Sequence, residues 1–344
     1  MRWLAATSIV LALAVPAAAA FMAAGVNGIG AVVDPPQVPT LLSSYSYKPT
    51  WQVAGVNFYV GVPSSVALKN PATMSIPGAS VDTTNHRIVV DNTATNVVID
   101  GYDFSLNGGW YVYDWTNTGT VTISNSYFLV GTNHQTPITA ASGTGNLTVT
   151  NCTLDGALDS NTTLSTLISY TGSGTVTVTN SWFKNSISDD IDINTNPTTI
   201  ILTNNLFQNQ GYNGAHGDVL QILGTGPYTA TVKYNTVVQG SIYNSQGIML
   251  EPDNGAIHGN VAGGEIAFNT FTGAISYFVG VTLADLSGTV TYHDNYFELA
   301  DGAFNFSPGS TRGGYNDGNA YSVYTNNVNM VTGALYQDSP PGTP

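Results

Sequence analysis

The stretch "TVTVTNSWF", residues 175–183, decides the fold. Its alternation has the period of two of a half-buried strand, so Val176 and Val178 are expected to point inward while Thr177 and Thr179 face water. Asn180 reads as a corner, because Asn tolerates left-handed backbone and can bond its own turn. The pattern then lands on an aromatic residue, Phe183. It recurs along the chain as "VVIDGYDF", "TVTISNSYF", "LTVTNCTL", "IILTNNLF", "TVKYNTV", "EIAFNTF" and "TVTYHDNYF". The landing residues Phe104, Phe128, Leu154, Phe183, Phe207, Val237, Phe271 and Phe297 lie 24 to 34 residues apart. A turn of that size cannot bury its apolar face alone, so neighbouring turns must stack. Hairpin signals and helical periodicity are missing, and the prediction is an all-β parallel solenoid.

The repeated "TVTxTNxxF" turns with irregular loops resemble the right-handed parallel β-helix superfamily of pectate lyases, polygalacturonases and phage tailspikes. The resemblance covers about residues 85–330 and implies a right-handed parallel β-helix of about eight to nine coils. Residues 21–84 are expected to form an N-terminal cap over the first coil, since solenoids must protect their terminal edges. Residues 331–344 are expected to be a disordered tail.

Composition narrows the function. Charged residues make up 8% of the chain, against about 25% in typical globular proteins. Polar surface must therefore come from Asn, Thr, Ser and Gly. Lys and Arg number 7 against 21 Asp and Glu, a formal net charge of −14. Phosphate neutralisation needs cations, so nucleic acid is excluded as a partner. A polyanionic glycan would need a bridging cation or a local basic cluster.

The opening "MRWLAATSIVLALAVPAAAAFMAAG" has one basic residue, an apolar core and an Ala-x-Ala ending. That is the layout of a secretory signal peptide, residues 1–20, with no membrane span after cleavage. An uncleaved anchor is the competing reading, since apolar character continues to about Val33. The expected location is secreted, periplasmic or on the cell surface. Cys152 is the only cysteine, so no intrachain disulfide can form.

Solenoid strands stack residues of successive turns about 4.8 Å apart in columns. Counting back from each corner, Ile191 and Ile193, Leu220 and Ile222, Ile248 and Leu250, and Val281 and Leu283 are predicted to stack inward. The outward column reads Tyr113, Thr139, Ser169, Asp192, Gln221, Met249, Thr282 and Asn305. Asp190 is assigned to the same face as Asp192, and Asp189 is aligned with Asp218 and Gln246. Titratable and polar groups then concentrate on three consecutive turns: Asp189, Asp190, Asp192 and Asn194; His216, Asp218 and Gln221; Gln246, Glu251 and Asp253.

Two same-face strand residues are about 6.6 Å apart, close to the carboxyl spacing of inverting glycosidases, about 6.5–9.5 Å. Asp190 and Asp192 fit that spacing. Asp218 would raise a neighbour's pKa by like-charge repulsion, and His216 could orient a carboxylate or bind a hydroxyl. The expected catalytic set is thus Asp190, Asp192, Asp218 and His216. Substrate contacts are assigned to Asp189, Asn194, Gln221, Gln246, Glu251, Tyr212, Tyr243 and Lys184, the tyrosines as sugar-stacking rings. The polygalacturonase resemblance rests on Asp189–Asp190 followed one turn later by His216–Gly217. The chain departs from that pattern in lacking an upstream Asn-Thr-Asp turn and a downstream Arg-x-Lys.

The preferred reading is an exported polysaccharide hydrolase that requires no cofactor. A second reading is a calcium-assisted lyase or epimerase on a uronate glycan. In it Asp189, Asp190, Asp192, Asp218 and Glu251 hold the ion, because calcium prefers hard oxygen ligands, and Lys184 or His216 acts as base. A third is a non-catalytic, glycan-binding surface β-helix.

Overall fold

Val176 and Val178 point into the interior and are fully buried, while Thr175, Thr177 and Thr179 remain half-exposed. That alternation repeats in Thr120–Ser124, Asn146–Thr150 and Thr199–Thr203. In this computed structural model the chain winds as a parallel β-helix of the right-handed type, built, among the described residues, from three sheets of ten, nine and nine strands. The structure describes residues 34–114, 118–132, 134–141, 145–157, 166–195, 197–211, 216–240, 244–250, 260–273, 275, 279–280, 286–298, 314–315 and 321–336. Of residues 216, 244–245, 279–280, 286, 314–315, 321–324 and 336, the description covers the backbone alone.

One turn shows the plan. Thr166–Tyr170 lies in the first sheet, Thr175–Thr179 in the second and Trp182–Lys184 in the third, before Asp189–Ile193 returns to the first. The landing residues form one column of the third sheet. Phe128 pairs with Leu154, Leu154 with Phe183, Phe183 with Phe207, Phe207 with Val237, Val237 with Phe271 and Phe271 with Phe297. All are fully shielded from water, or nearly so.

Corners between the second and third sheets carry a left-handed residue in each turn. Asn125, Asn151, Asn180, Asn204, Tyr234, Phe268, Asp294 and Asn326 all have φ between 49° and 59°. The residue after each points inward, and from Asn205 on this is a continuous asparagine ladder. The Asn205 backbone N–H donates to Asn235 Oδ1, Asn235 to Asn269 and Asn269 to Asn295, each at 3.0 Å, and Asn295 to Asn327 at 3.1 Å. Each side-chain amide also donates to a carbonyl of the preceding turn, so buried backbone groups at the bend are satisfied. Upstream the same position is held by Ser181, Cys152 and Ser126, and Cys152 N–H donates to Ser181 Oγ.

The N-terminal segment divides in two. Residues 71–82 cover the first turn: a short 3-10 helix, Pro71–Thr73, is capped by Asn70, and Ala79–Asp82 pairs antiparallel with Arg87–Val90. Residues 34–69 do not cap that end. They run lengthwise along the outside of the third sheet, from the last described turns back to the first. Leu42 and Val53 pack with Met330; Ala54 and Val60 pack on Leu206. Gly61 N–H donates to Asn180 O, and Lys69 N–H donates to Gly101 O. At the other end, Leu335–Tyr336 pairs antiparallel with Asn327–Val328, so this part of the segment expected to be a disordered tail is a folded strand. Residues 1–33, with the expected signal peptide, and 337–344 lie outside the described residues.

Candidate functional site

The outward column of the first sheet forms as its spacing predicts through six turns. Tyr113 pairs with Thr139, Thr139 with Ser169, Ser169 with Asp192, Asp192 with Gln221 and Gln221 with Met249. Ile191 and Ile193 stack on Leu220 and Ile222, and Leu220 on Ile248. Beyond that the register differs from the expected one. Ile248 pairs with Val279 and Met249 with Gly280, two residues earlier than the Val281 and Thr282 positions predicted by counting from the corner. Residues 281–283 and Asn305 lie outside the described residues.

Asp192 is the carboxyl of this column among the described residues. It is half-buried, flanked by Ser169 and Gln221 on the neighbouring strands. Burial raises its pKa above the ordinary carboxylate value, opposed by a hydrogen bond from the Asn194 side chain. Its Oδ1 is shielded from water and has no hydrogen-bond partner. Asn194 itself is exposed at the strand's end, with its backbone N–H donating to Tyr170 O.

Asp190 does not share that face. The sequence reading placed it outward beside Asp192; the structure buries it completely. The reason is a break in the pleat. Asp190 and Ile191 are buried in succession although the register holds, with Thr166 paired to Asp189 and Ile168 to Ile191. The equivalent residues one turn before and after, Leu167 and Val219, belong to the hydrophobic core. Asp190 Oδ2 accepts a 2.6 Å hydrogen bond from the buried Gln210 amide. Burial raises its pKa well above the ordinary value, with the nearby Asp189 charge acting in the same direction and bonds from Gln210 and Ser186 against it.

Asp189 and Asp218 meet as the alignment predicts, but as a brace between turns. Asp189 Oδ1 accepts the backbone N–H of Asp218 at 2.8 Å. Asp218 is fully buried and pairs along the backbone with Gln246, which is half-exposed. Gln221 is almost fully covered. His216 opens the strand His216–Ile222, where it pairs with Asn244; its side chain lies outside the described part. Tyr212, Tyr243, Glu251 and Asp253 lie outside the described residues.

Lys184 belongs to another face. It sits in the third sheet, with Nζ 2.9 Å from Asp155 Oδ2 and 4.3 Å from the Trp182 ring centroid. Among the described residues no group of three or more His, Cys, Asp or Glu side chains could hold a metal ion. Of the proposed calcium ligands, Asp190 faces inward, Asp189 braces a backbone amide and Asp192 faces outward, while Glu251 lies outside the described residues.

Two features escaped the sequence reading. Gln210, the partner of Asp190, lies 20 residues downstream in loop text without periodicity. A charged chain also crosses the second sheet. Lys233 Nζ lies 2.5 Å from Glu265 Oε2, Glu265 Oε1 lies 3.3 Å from His293 Nε2, and His293 Nδ1 lies 2.7 Å from Asp294 Oδ2. The signal for it was present, since these residues interrupt the outward threonine columns of that sheet.

Among the described residues no helix is long and apolar enough to cross a membrane. In the comparisons with known proteins, no family model, no curated protein and no solved structure matches the chain.

Proposed function

We propose that this chain is an exported, carbohydrate-active β-helix of the pectate lyase-like type that hydrolyses a glycosidic bond in a polysaccharide lying along its first sheet. The observation that carries the reading is Asp192: a half-buried carboxyl with raised pKa and an unbonded oxygen, in an outward column of hydroxyl and amide side chains. A carboxyl whose pKa is raised by burial holds its proton to higher pH than an ordinary aspartate, which suits a general acid. In this mechanism Asp192 protonates the bridging oxygen and the leaving sugar departs with that proton. Asp189 takes a proton from the water that attacks the anomeric carbon on the opposite face. Its Oδ1 accepts the Asp218 backbone N–H at 2.8 Å, which holds the carboxyl in place at the start of the strand. Strand rise puts the two Cα atoms roughly 10 Å apart, so the side chains must lean together to reach the inverting separation of about 6.5–9.5 Å.

The glycan in this reading is uncharged. Arg87 is paired with Asp82, Lys184 with Asp155 and Lys233 with Glu265, and none of the three shares a strand with Asp192. The two strands that flank Asp192, Thr166–Tyr170 and His216–Ile222, carry no Lys or Arg to balance a uronate carboxylate.

A second reading, glycan binding without turnover, is favoured by the burial of Asp190 and Asp218, which takes two of the three expected catalytic carboxyls out of a substrate's reach. Incubation with a panel of neutral polysaccharides, followed by assays for new reducing ends and for co-sedimentation, separates the two. New reducing ends that vanish in Asp192→Asn support hydrolysis. Retention on a polysaccharide without new ends supports binding alone, and neither result across the panel removes the glycan reading.

A further inference from the structure

The strand Asp189–Ile193 carries one carboxyl that the candidate site does not use. Asp190 and Gln210 are both fully buried, and Gln210 Nε2 donates to Asp190 Oδ2 at 2.6 Å. The other oxygen of each group, Asp190 Oδ1 and Gln210 Oε1, is sealed from water with no hydrogen-bond partner, and the Ser186 hydroxyl, which also lies against Asp190, gives its proton to Ser188 O at 2.9 Å. Two groups already joined by one bond thus each present an orphaned acceptor. Left ionised, the carboxylate would be a buried charge without a counter-ion, and the amide oxygen would stay unsatisfied. A single proton resolves both deficits.

We infer that Asp190 is a neutral carboxylic acid closed with the Gln210 amide into a ring of two hydrogen bonds, Oδ1–H donating to Oε1 and Nε2–H donating to Oδ2. The amide is held in place for this. Gln210 N–H donates to Gln239 Oε1 at 3.1 Å, and Gln239 Nε2 donates back to Gln210 O at 2.5 Å. Leu167 and Val219, at the equivalent positions of the adjoining turns, are core residues. The Asp189 charge on the same strand opposes ionisation, and the following strand brings a second, buried carboxyl, Asp218. The preceding strand, Thr166–Tyr170, brings no charged side chain; its one titratable group, the Tyr170 hydroxyl, donates to Gly145 O at 2.6 Å. Nothing in this pairing depends on the proposed reaction.

The ring is a pH-sensitive lock on the strand that bears Asp189 and Asp192. Burial raises the Asp190 pKa in the folded chain, while the unfolded chain keeps the ordinary aspartate value of about 4. Between those values the folded state binds a proton that the unfolded state does not. The stabilisation is therefore complete below about pH 4 and is lost as pH rises through the folded-state value.

Thermal unfolding of the full chain across pH, with Asp190→Asn and Asp190→Ala beside the parent, tests the inference. The Asn variant can form the same two bonds with no titrating proton. It should keep the parent's acid-side Tm and fall less steeply as pH rises, while the Ala variant should melt lower at every pH. Infrared difference spectra at neutral pH should show a protonated carboxylic-acid carbonyl in the parent that is missing from Asp190→Asn, a readout that stands even where the Ala variant fails to fold. Absence of that band in the parent, or an Asn variant as unstable as the Ala variant, would overturn the inference and mean that Asp190 is ionised and bridged by water or a cation.

Discussion

The indole of Trp51 meets the ring of Phe268 edge-on, with centroids 5.3 Å apart and planes at 82°. Phe268 occupies a corner with φ 59°, a left-handed position that asparagine fills in most other turns. Tyr234, one turn earlier, does the same at φ 57° and stacks on Phe268 at 4.9 Å. A large side chain in that conformation is strained. The two strained rings, with Tyr296, make the surface on which Trp51 docks, and so they fix one end of the lengthwise segment 34–69.

Replacing Trp51 by Ala should therefore free this segment. The loss of a large, partly buried aromatic with three edge contacts should cost about 2–3 kcal/mol. Limited proteolysis checks it: cleavage within residues 34–69 should become faster than in the parent while the coils stay resistant. Equal cleavage rates would mean that the docking contributes little.

Asn235 is a two-way link of the interior ladder, accepting from Asn205 and donating to Leu202 O and Asn269 Oδ1. Asn235→Ala leaves buried donors and acceptors unsatisfied and should destabilise by about 3 kcal/mol or more. Thr177→Ala on the solvated face of the second sheet should stay within about 0.5 kcal/mol. Denaturant titration of both variants measures the contrast.

Cys152 sits at a ladder position, fully buried, and burial pushes its thiol pKa up to about 12. The thiolate is the reactive form. Alkylation in native buffer should proceed only at the rate at which the surrounding turns open, and become rapid in denaturant. Fast native labelling would contradict the burial.

If Asp192 is the acid, turnover should fall as pH rises through its raised pKa, because the proton it must donate is lost. Asp192→Asn should lose turnover at every pH with a Tm close to the parent's. A retained rate in that variant would assign the proton to another group.

Lys184 is engaged by Asp155 on a different sheet from Asp192. Lys184→Met should leave glycan turnover and binding unchanged and shift stability by about 1 kcal/mol or less, as for other partly exposed ion pairs. Activity assays on the variant check it; a large loss of rate would return Lys184 to the site.

Some of this was legible from residue types alone. Strand alternation, the left-handed corner and the apolar landing recur from turn to turn, and stacking puts like residues in contact. A pattern read in "TVTVTNSWF" therefore recurs, with substitutions, in "TVTISNSYF" and "IILTNNLF". The polar column from Tyr113 to Gln221 followed from the same counting. Counting failed where the pleat is interrupted. At Asp190 two successive inward residues, Asp190 and Ile191, break the alternation, and after Met249 the pairing falls two residues earlier than counted.

The amino-acid sequence by itself determined the repeating coil, because its information is local: period two, left-handed corners and nearest-neighbour stacking of similar turns. The tertiary structure alone decided that Asp190 faces Gln210, that Asp189 braces the amide of Asp218, and that Trp51 lies on Phe268. Those contacts join segments 20, 29 and 217 residues apart. Their partners are selected by space and desolvation, which leave no periodic trace in the chain.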